Sequence, residues 1–539
     1  METNYINTPE GTRDRLFAEC RDRRELEGRI TGVFKRYDYS EVMTPEVEFY
    51  DMFAQSGNPL PQEALVKIVD KSGRLLVMRP DNTTPIARAA ASRLTLEGRA
   101  QRLYYNQSVF RSSDAHNGVE SEISQCGIEL IGADGIDADV EVLVIAMETL
   151  ETAGAGDFYI ELGHAGLYKA LSAELRADRE TSEKIRSYIE KKNFAALKEL
   201  LKSYDCPAAR ALDRIGHLYG GAEVLEEAKT LLPSEETEAI AYLKALYNVL
   251  ESRGYGDHVR FDLGMVHQID YYTGVVFRGY VHGAAANVLS GGRYDNLLSF
   301  FGADSPATGF AVNTGAVLDA LKDESAASNG RLRIAITKGR LLDKSIDMFE
   351  KMGLDCGVVK DPGRKLVAEI GNYGLDVVMS KAPDVVTYVE HGVCDMGIVG
   401  KDTILESGSS FYEVLDLGFG KCRFALAVKE GTDFYNTYKT RIVASKYPNV
   451  AKRYFASKGM DVTVIKIEGS VELAPILGLA DGIVDIVETG STLKANGLIP
   501  IETIHEISAR LIVNTASMKL HKEEILDFLE KCEQAIQND

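Results

Sequence analysis

The chain has 539 residues, 45% hydrophobic and 26% charged; it is too long for a single core and ordinary for a globular protein, so three or four domains are expected. A formal net charge of -20 excludes broad, sequence-independent nucleic-acid binding, and any polyphosphate ligand must be held by locally gathered cations, backbone N–H groups and a divalent metal. Seven cysteines without a Cys-x-x-Cys pair give neither a disulfide framework nor a zinc pattern and are expected as buried thiols, and the polar start and lack of a membrane-length apolar run point to a cytoplasmic protein with no membrane partner.

In chain order, apolar spacing predicts an amphipathic helix over 14–36, then an extended 41–46 in which Pro45 keeps Thr44 out of the helical region. Alternation predicts strands at 75–78, 102–110 and 123–131, the last two antiparallel across the polar loop 112–122. Residues 174–250, rich in Ala, Glu, Lys and Leu, read as helices. The stretch 322–330 is small, polar and aperiodic, a linker. Beyond it, strands at 332–336, 375–379 and 396–399 each lead through a short loop into a helix, the second with Pro383 in its first turn. Such units predict a mainly parallel α/β sheet with ligands at the carboxyl ends of the strands. Lys338, Lys381 and Lys401 fall at those ends, and a last helix is expected over 522–536.

The stretch 482–496 carries the most chemistry. Ile483 to Val487 is a β-branched apolar run broken by Asp485, as in a buried strand, and a helix begins near Leu493. Between them Gly490 tolerates positive φ and has no Cβ, so the N–H groups of Thr489, Gly490, Ser491 and Thr492 can converge on one anion. The three hydroxyls add donors, and the following helix start favours negative charge. Asp485 and Glu488 cannot hold the same phosphate but can accept hydrogen bonds from sugar hydroxyls. A carboxylate followed by a phosphate nest suits a ribose 5-phosphate. An ideal strand sends Asp485 and Glu488 to opposite faces, so both reach one sugar only if the strand ends by Val487.

The motifs Asn7-Thr8-Pro9-Glu10-Gly11-Thr12-Arg13-Asp14, Arg79-Pro80-Asp81-Asn82-Thr83, Phe110-Arg111, Gln125-Cys126-Gly127-Ile128-Glu129, Asp270-Tyr271-Tyr272-Thr273-Gly274 and Ser290-Gly291-Gly292-Arg293-Tyr294-Asp295 resemble a histidyl-tRNA synthetase over roughly residues 5–320. The resemblance implies a class II α+β core, a mostly antiparallel sheet with a helical insertion at about 174–250. Departures argue against the synthetase reaction. His267 stands where the family carries a catalytic arginine, Ser112-Ser113 and Val119 interrupt the second motif, and Ala316 replaces the arginine that holds ATP. Each lost cation removes roughly 2–4 kcal/mol of transition-state stabilisation. What remains is an amino-acid pocket: Asp81 and Glu129 for an ammonium, Thr83 and Gln125 to complete the polar shell, Arg111 for a carboxylate, and Tyr271 with Tyr272 to flank an imidazole. This resembles the regulatory subunit of the short-form ATP phosphoribosyltransferases, which implies histidine as the ligand.

Asp485-Ile486-Val487-Glu488-Thr489-Gly490-Ser491-Thr492-Leu493 resembles the 5-phosphoribosyl pyrophosphate (PRPP) loop of the ATP phosphoribosyltransferases, and the similarity extends over about 331–520. The resemblance implies an α/β fold of two lobes like periplasmic binding proteins with the site in the cleft. It implies Lys338-Gly339-Arg340 as the amino-terminal signature and Arg364, in Arg364-Lys365-Leu366, near the leaving pyrophosphate. Arg340 and Arg364 are then the catalytic cations. Lys338, Gly339, Lys381 and Lys401 serve ATP or pyrophosphate, and Asp485 with 488–492 binds PRPP. Magnesium is expected as cofactor, held by substrate oxygens more than by protein. The expected organisation is a regulatory domain at 1–322, a linker at 323–330 and a catalytic domain at 331–539, with no room for the C-terminal allosteric domain of long-form enzymes. Partners are ATP, PRPP and inhibitory histidine, in a homo-oligomer, with a tetramer as the expected form. The alternatives are a non-catalytic two-lobed binding protein with a histidine sensor, and an active synthetase with an appendage.

Overall fold

The computed structural model describes residues 7–55, 62–96, 98–112, 120–232, 237–266, 271–323, 331–408, 410–436 and 439–537. Two compact units, residues 1–327 and 328–539, make up the chain. Among the described residues no helix is long and apolar enough to cross a membrane.

The first unit is built on a nine-stranded sheet. In spatial order its strands are Ser40–Glu41, Gln101–Phe110, Glu122–Ile131, Ala307–Asn313, Leu289–Arg293, Val275–Val281, Phe158–His164, Val259–Asp262 and Tyr219–Gly220. All neighbours are antiparallel except Ser40–Glu41 beside Gln101–Phe110 and Phe158–His164 beside Val259–Asp262. The predicted 102–110 and 123–131 hairpin is present, one residue longer at the start of each strand. One face is covered by the helix Ile136–Ala153, nearly all of whose apolar residues are buried, and by Ala18–Arg36, which buries Leu26, Ile30, Val33 and Phe34 at helical spacing. That amino-terminal helix starts later than predicted, after Phe17 at φ 48°. Between Ala165 and Ser252 the described residues are helical apart from short connections and the Tyr219–Gly220 strand.

The opposite face is floored by glycine. Across the sheet Glu129 pairs with Gly309 and Gly309 with Gly292. A Cβ on Gly309 would stand 2.2 Å from Glu129 Oε2, one on Gly292 2.8 Å from the Tyr272 ring and one on Gly127 2.4 Å from the Tyr105 hydroxyl. Missing side chains in the floor are what let large polar groups lie on it.

The second unit holds two sheets. The six-stranded one runs Val367–Ile370, Leu375–Ser380, Leu332–Thr337, Met396–Gly400, Ala509–Val513, Tyr412–Asp416, and the five-stranded one Val462–Lys466, Arg441–Ser445, Gly482–Val487, Cys422–Lys429, Leu498–Ile507. The expected mainly parallel sheet is a mixed one. Leu332–Thr337 is parallel to both its neighbours and Arg441–Ser445 to both of its own, but every other pairing is antiparallel. The chain passes from Asp416 to Cys422 and back from Ile507 to Ala509 with no helix in either connection, and Ala509–Val513 re-enters the first sheet antiparallel to both of its neighbours. The two crossings are tied together: Leu417 N–H donates to Ala509 O, Ala509 N–H to Phe419 O, and Ser508 Oγ to Asp416 Oδ1 at 2.7 Å.

Other expectations need adjustment. Lys322 and Asp323 end the helix Thr314–Asp323 instead of starting a linker, and 324–330 lie outside the described residues. Four cysteines are buried as expected, while Cys206 and Cys422 are half-buried and Cys20 is exposed.

Candidate functional site

In the second unit the parallel neighbours Leu375–Ser380, Leu332–Thr337 and Met396–Gly400 end along one edge, each followed by a residue singled out above: Lys381, Lys338 and Lys401. Arg364 joins them because Val367–Ile370 is antiparallel to Leu375–Ser380, with Leu366 O accepting from Met379 N–H, so the turn before it lies at the same end. Gly339, at φ +86°, turns the chain into the helix Arg340–Lys351. Lys338, Arg340, Arg364 and Lys381 are exposed at this edge. Lys401 is not available in the same way: half-buried, its amine is in an ion pair with Glu413. A half-buried lysine is cheaper paired than bare, and a phosphate would have to compete with Glu413 for this one.

The strand Gly482–Val487 ends where it must for Glu488 to escape strand alternation. Gly490 sits at φ +75° with only Val487 Cγ1, at 3.7 Å, near a would-be Cβ, so conformation and not space demands glycine. Thr489 Oγ1 and Ser491 Oγ lie 2.9 Å apart, and Ser491 N–H points at Thr489 Oγ1, gathering the donors of the turn. Asp485 is half-buried, accepts from the Ile486 N–H at 2.8 Å, and burial, with Glu472 nearby, pushes its carboxyl up to about 6. Glu488 does something the sequence did not foresee. Both its oxygens accept from Arg340 Nη1, at 2.7 and 2.8 Å, joining the two sheets and holding the guanidinium firmly protonated. A second bridge runs from Tyr447 Oη to Asp402 Oδ2 at 2.9 Å. Neither Tyr447 nor Asp402 stood out in the sequence as a site residue; Pro448, which starts the next helix, was the only local marker.

The first unit gathers most of the residues expected around an amino acid. Glu129 accepts from Thr83 Oγ1 at 2.7 Å and from Tyr294 Oη, and the ring of Tyr271 meets Tyr272 at 4.9 Å and Tyr294 at 5.7 Å. Burial pushes Glu129 up to about 8 against those two hydrogen bonds, with Asp81 adding repulsion. Asp81 departs from expectation: its carboxylate accepts from the Thr83 and Thr84 N–H groups and from Thr84 Oγ1, at 2.7, 3.3 and 2.6 Å. It thereby satisfies the otherwise orphaned donors at the start of the helix Thr83–Arg93. Arg111 Nε donates to Pro80 O at 3.0 Å beside it, and Gln125 Oε1 accepts from Asn82 Nδ2 at 3.2 Å. Tyr294 and Thr84 were missed as site residues, although Tyr294 stood in a recognisable motif. His267, Val119 and Ser113 lie outside the described residues, while Ala316 donates its N–H to Asn313 Oδ1 near the start of a helix. Among the described residues no group of three or more His, Cys, Asp or Glu could hold a metal ion.

Two stretches of the chain are similar to known proteins. A family model described as histidyl-tRNA synthetase matches residues 11–317, and one described as ATP phosphoribosyltransferase matches residues 381–534. The chain is 40% identical over 319 residues to the ATP phosphoribosyltransferase regulatory subunit of Clostridium kluyveri, a match over 58% of the chain and 82% of that protein. It is 59% identical over 201 residues to the ATP phosphoribosyltransferase of the same organism, over 37% of the chain and 92% of that protein. Among solved structures, an ATP phosphoribosyltransferase regulatory subunit/histidyl-tRNA synthetase from Bacillus halodurans C aligns with TM-score 0.55 and 30% identity, covering 70% of the chain and 93% of its own. A histidine–tRNA ligase subunit from Alicyclobacillus acidocaldarius aligns with TM-score 0.51 and 27% identity, covering 59% and 98%. The first unit therefore has a class II synthetase-like fold.

Proposed function

The chain belongs to the ATP phosphoribosyltransferase family, with a regulatory-subunit-like and a catalytic-subunit-like part on one polypeptide, and we propose that it condenses ATP with PRPP in the first step of histidine biosynthesis. N1 of the adenine attacks C1 of the ribose, the C1–O bond to pyrophosphate breaks with its electron pair, and N1-(5-phosphoribosyl)-ATP forms. C1 becomes oxocarbenium-like, so the protein must hold the nucleophile in line and meet the charge leaving with pyrophosphate. No covalent protein nucleophile is required.

The observation that carries this reading is the Gly490 turn, with its donors gathered around Thr489 and Ser491, linked through Glu488 to the cationic edge at Arg340. In the reading it supports, 489–492 fix the 5-phosphate and Asp485 accepts from a ribose hydroxyl. Arg340 and Arg364 meet the pyrophosphate, with Lys338 and Lys381 beside them. Two sheets joined by two crossings support a two-lobed form like the periplasmic binding proteins, closing over that site. A magnesium ion suits these residues as a companion of the substrate's phosphates, with Asp485 and nearby Glu472 able to take one of its positions, since magnesium keeps several waters. When bound it neutralises charge on the pyrophosphate.

In the same reading residues 1–322 are regulatory and 331–539 catalytic, and the pocket around Glu129 takes histidine as the inhibitor. Hydroxyl donors, aromatic rings and a carboxyl that among the described residues is hydrogen-bonded by hydroxyls and no cation suit a ligand that brings its own positive charge. A homo-oligomer, a tetramer in the simplest case, lets one pocket bias several sites. The test is a single assay: ATP, PRPP and magnesium with increasing histidine. Phosphoribosyl-ATP that falls as histidine rises is the expected result; histidine binding without turnover would leave a binding protein, and aminoacylation when tRNA is added in place of PRPP a synthetase.

A further inference from the structure

Arg340, read from sequence as a partner of the pyrophosphate, and Glu488, read as a partner of the ribose hydroxyls, hold each other. Arg340 follows the Leu332–Thr337 strand of the six-stranded sheet and Glu488 follows Gly482–Val487 of the five-stranded sheet, so the pair spans the two. Both side chains are more than half exposed, at 59% and 53%, which keeps the pair screened and open to competition. A phosphate group presents a guanidinium with the same kind of paired oxygens as a carboxylate and more charge. Glu488 also immediately precedes Thr489, so its hold on Arg340 fixes where the cradle starts. The Tyr447–Asp402 bridge, half-buried and between the same two sheets, offers no comparable exchange for an anion.

We propose that Glu488 is a positioning residue acting through Arg340: it keeps the guanidinium over the cradle as a resident counter-ion, gives it up to the pyrophosphate of the substrate, and reclaims it as pyrophosphate leaves. The inference rests on the reading that Arg340 meets the pyrophosphate. No bond is made or broken in the exchange; one anion replaces another on the same cation.

The test is the affinity for inorganic pyrophosphate with magnesium, by calorimetry on the full chain, together with steady-state kinetics. Glu488→Gln should bind pyrophosphate about fivefold more tightly, the scale of one favourable exposed ion pair, with product inhibition strengthened to match. Glu488→Asp should stay near the wild type. In an Arg340→Gln background the Glu488→Gln gain should vanish. An unchanged or weakened pyrophosphate affinity in Glu488→Gln, or a gain that persists without Arg340, overturns the exchange. A raised KM for PRPP with unaltered pyrophosphate affinity also overturns it, and returns Glu488 to the ribose. If Arg340→Gln alone binds pyrophosphate as the wild type does, the parent reading of Arg340 falls first, and the exchange with it.

Discussion

Glu129 and Asp485 are both carboxylates expected to meet a polar ligand, and they are held in opposite ways. Glu129 lies against a glycine floor, fully buried, and accepts from the hydroxyls of Thr83 and Tyr294. Asp485 stands half-buried at the end of a strand, next to a turn whose donors are backbone N–H groups and hydroxyls in reach of water. A small amino acid offers few contacts, so its site must be dry and shaped to discriminate; a sugar phosphate brings charge enough to be caught by a local turn.

That contrast predicts where each site is fragile. The largest effect should come from the cradle, whose function hangs on one backbone conformation. Gly490→Val forces a β-branched residue to φ +75° and should cost about 10²-fold or more in turnover with PRPP, while the protein still folds and unfolds only a few degrees lower, since the strain is confined to one exposed turn. Full activity in that variant would remove the cradle from the site.

The buried pocket should yield a smaller and different effect. Tyr294→Phe removes a donor from a carboxylate that cannot turn to water, and should weaken histidine inhibition roughly tenfold while leaving uninhibited turnover intact. Loss of turnover with unaltered histidine response would reverse the assignment of the two units.

The smallest effect sharpens the comparison by pH. Glu129 has a folded value near 8 against an ordinary 4.5, so the fold favours its neutral form. Its contribution to stability is complete below about 4.5 and is lost as pH rises towards 8. Glu129→Gln, which cannot ionise, should therefore unfold a few degrees above the wild type at pH 8 and close to it at pH 5. A constant difference across that range would mean that Glu129 is charged throughout.

Strands and helices followed from residue spacing wherever one face of an element is apolar. The 102–131 hairpin, the Gly482–Val487 strand and the last helix appeared within a residue or two. The parallel character of the second unit did not, because direction is set by where a strand returns and not by its own pattern. Sequence also named the charged groups without saying which were spoken for. Lys401 is paired with Glu413 and Arg340 with Glu488, two pairings between groups that local chemistry leaves open, whereas Asp81 is held locally by the helix start two and three residues on.

By itself the sequence determined the chemistry on offer, a glycine turn rich in hydroxyls and cations after successive strands, both properties of residue type at close spacing, while the amino-acid pocket came from a family resemblance. Tertiary structure alone decided which charges meet, since ion pairs form between groups far apart in the chain, and their energy depends on distance and on how much water is left between them.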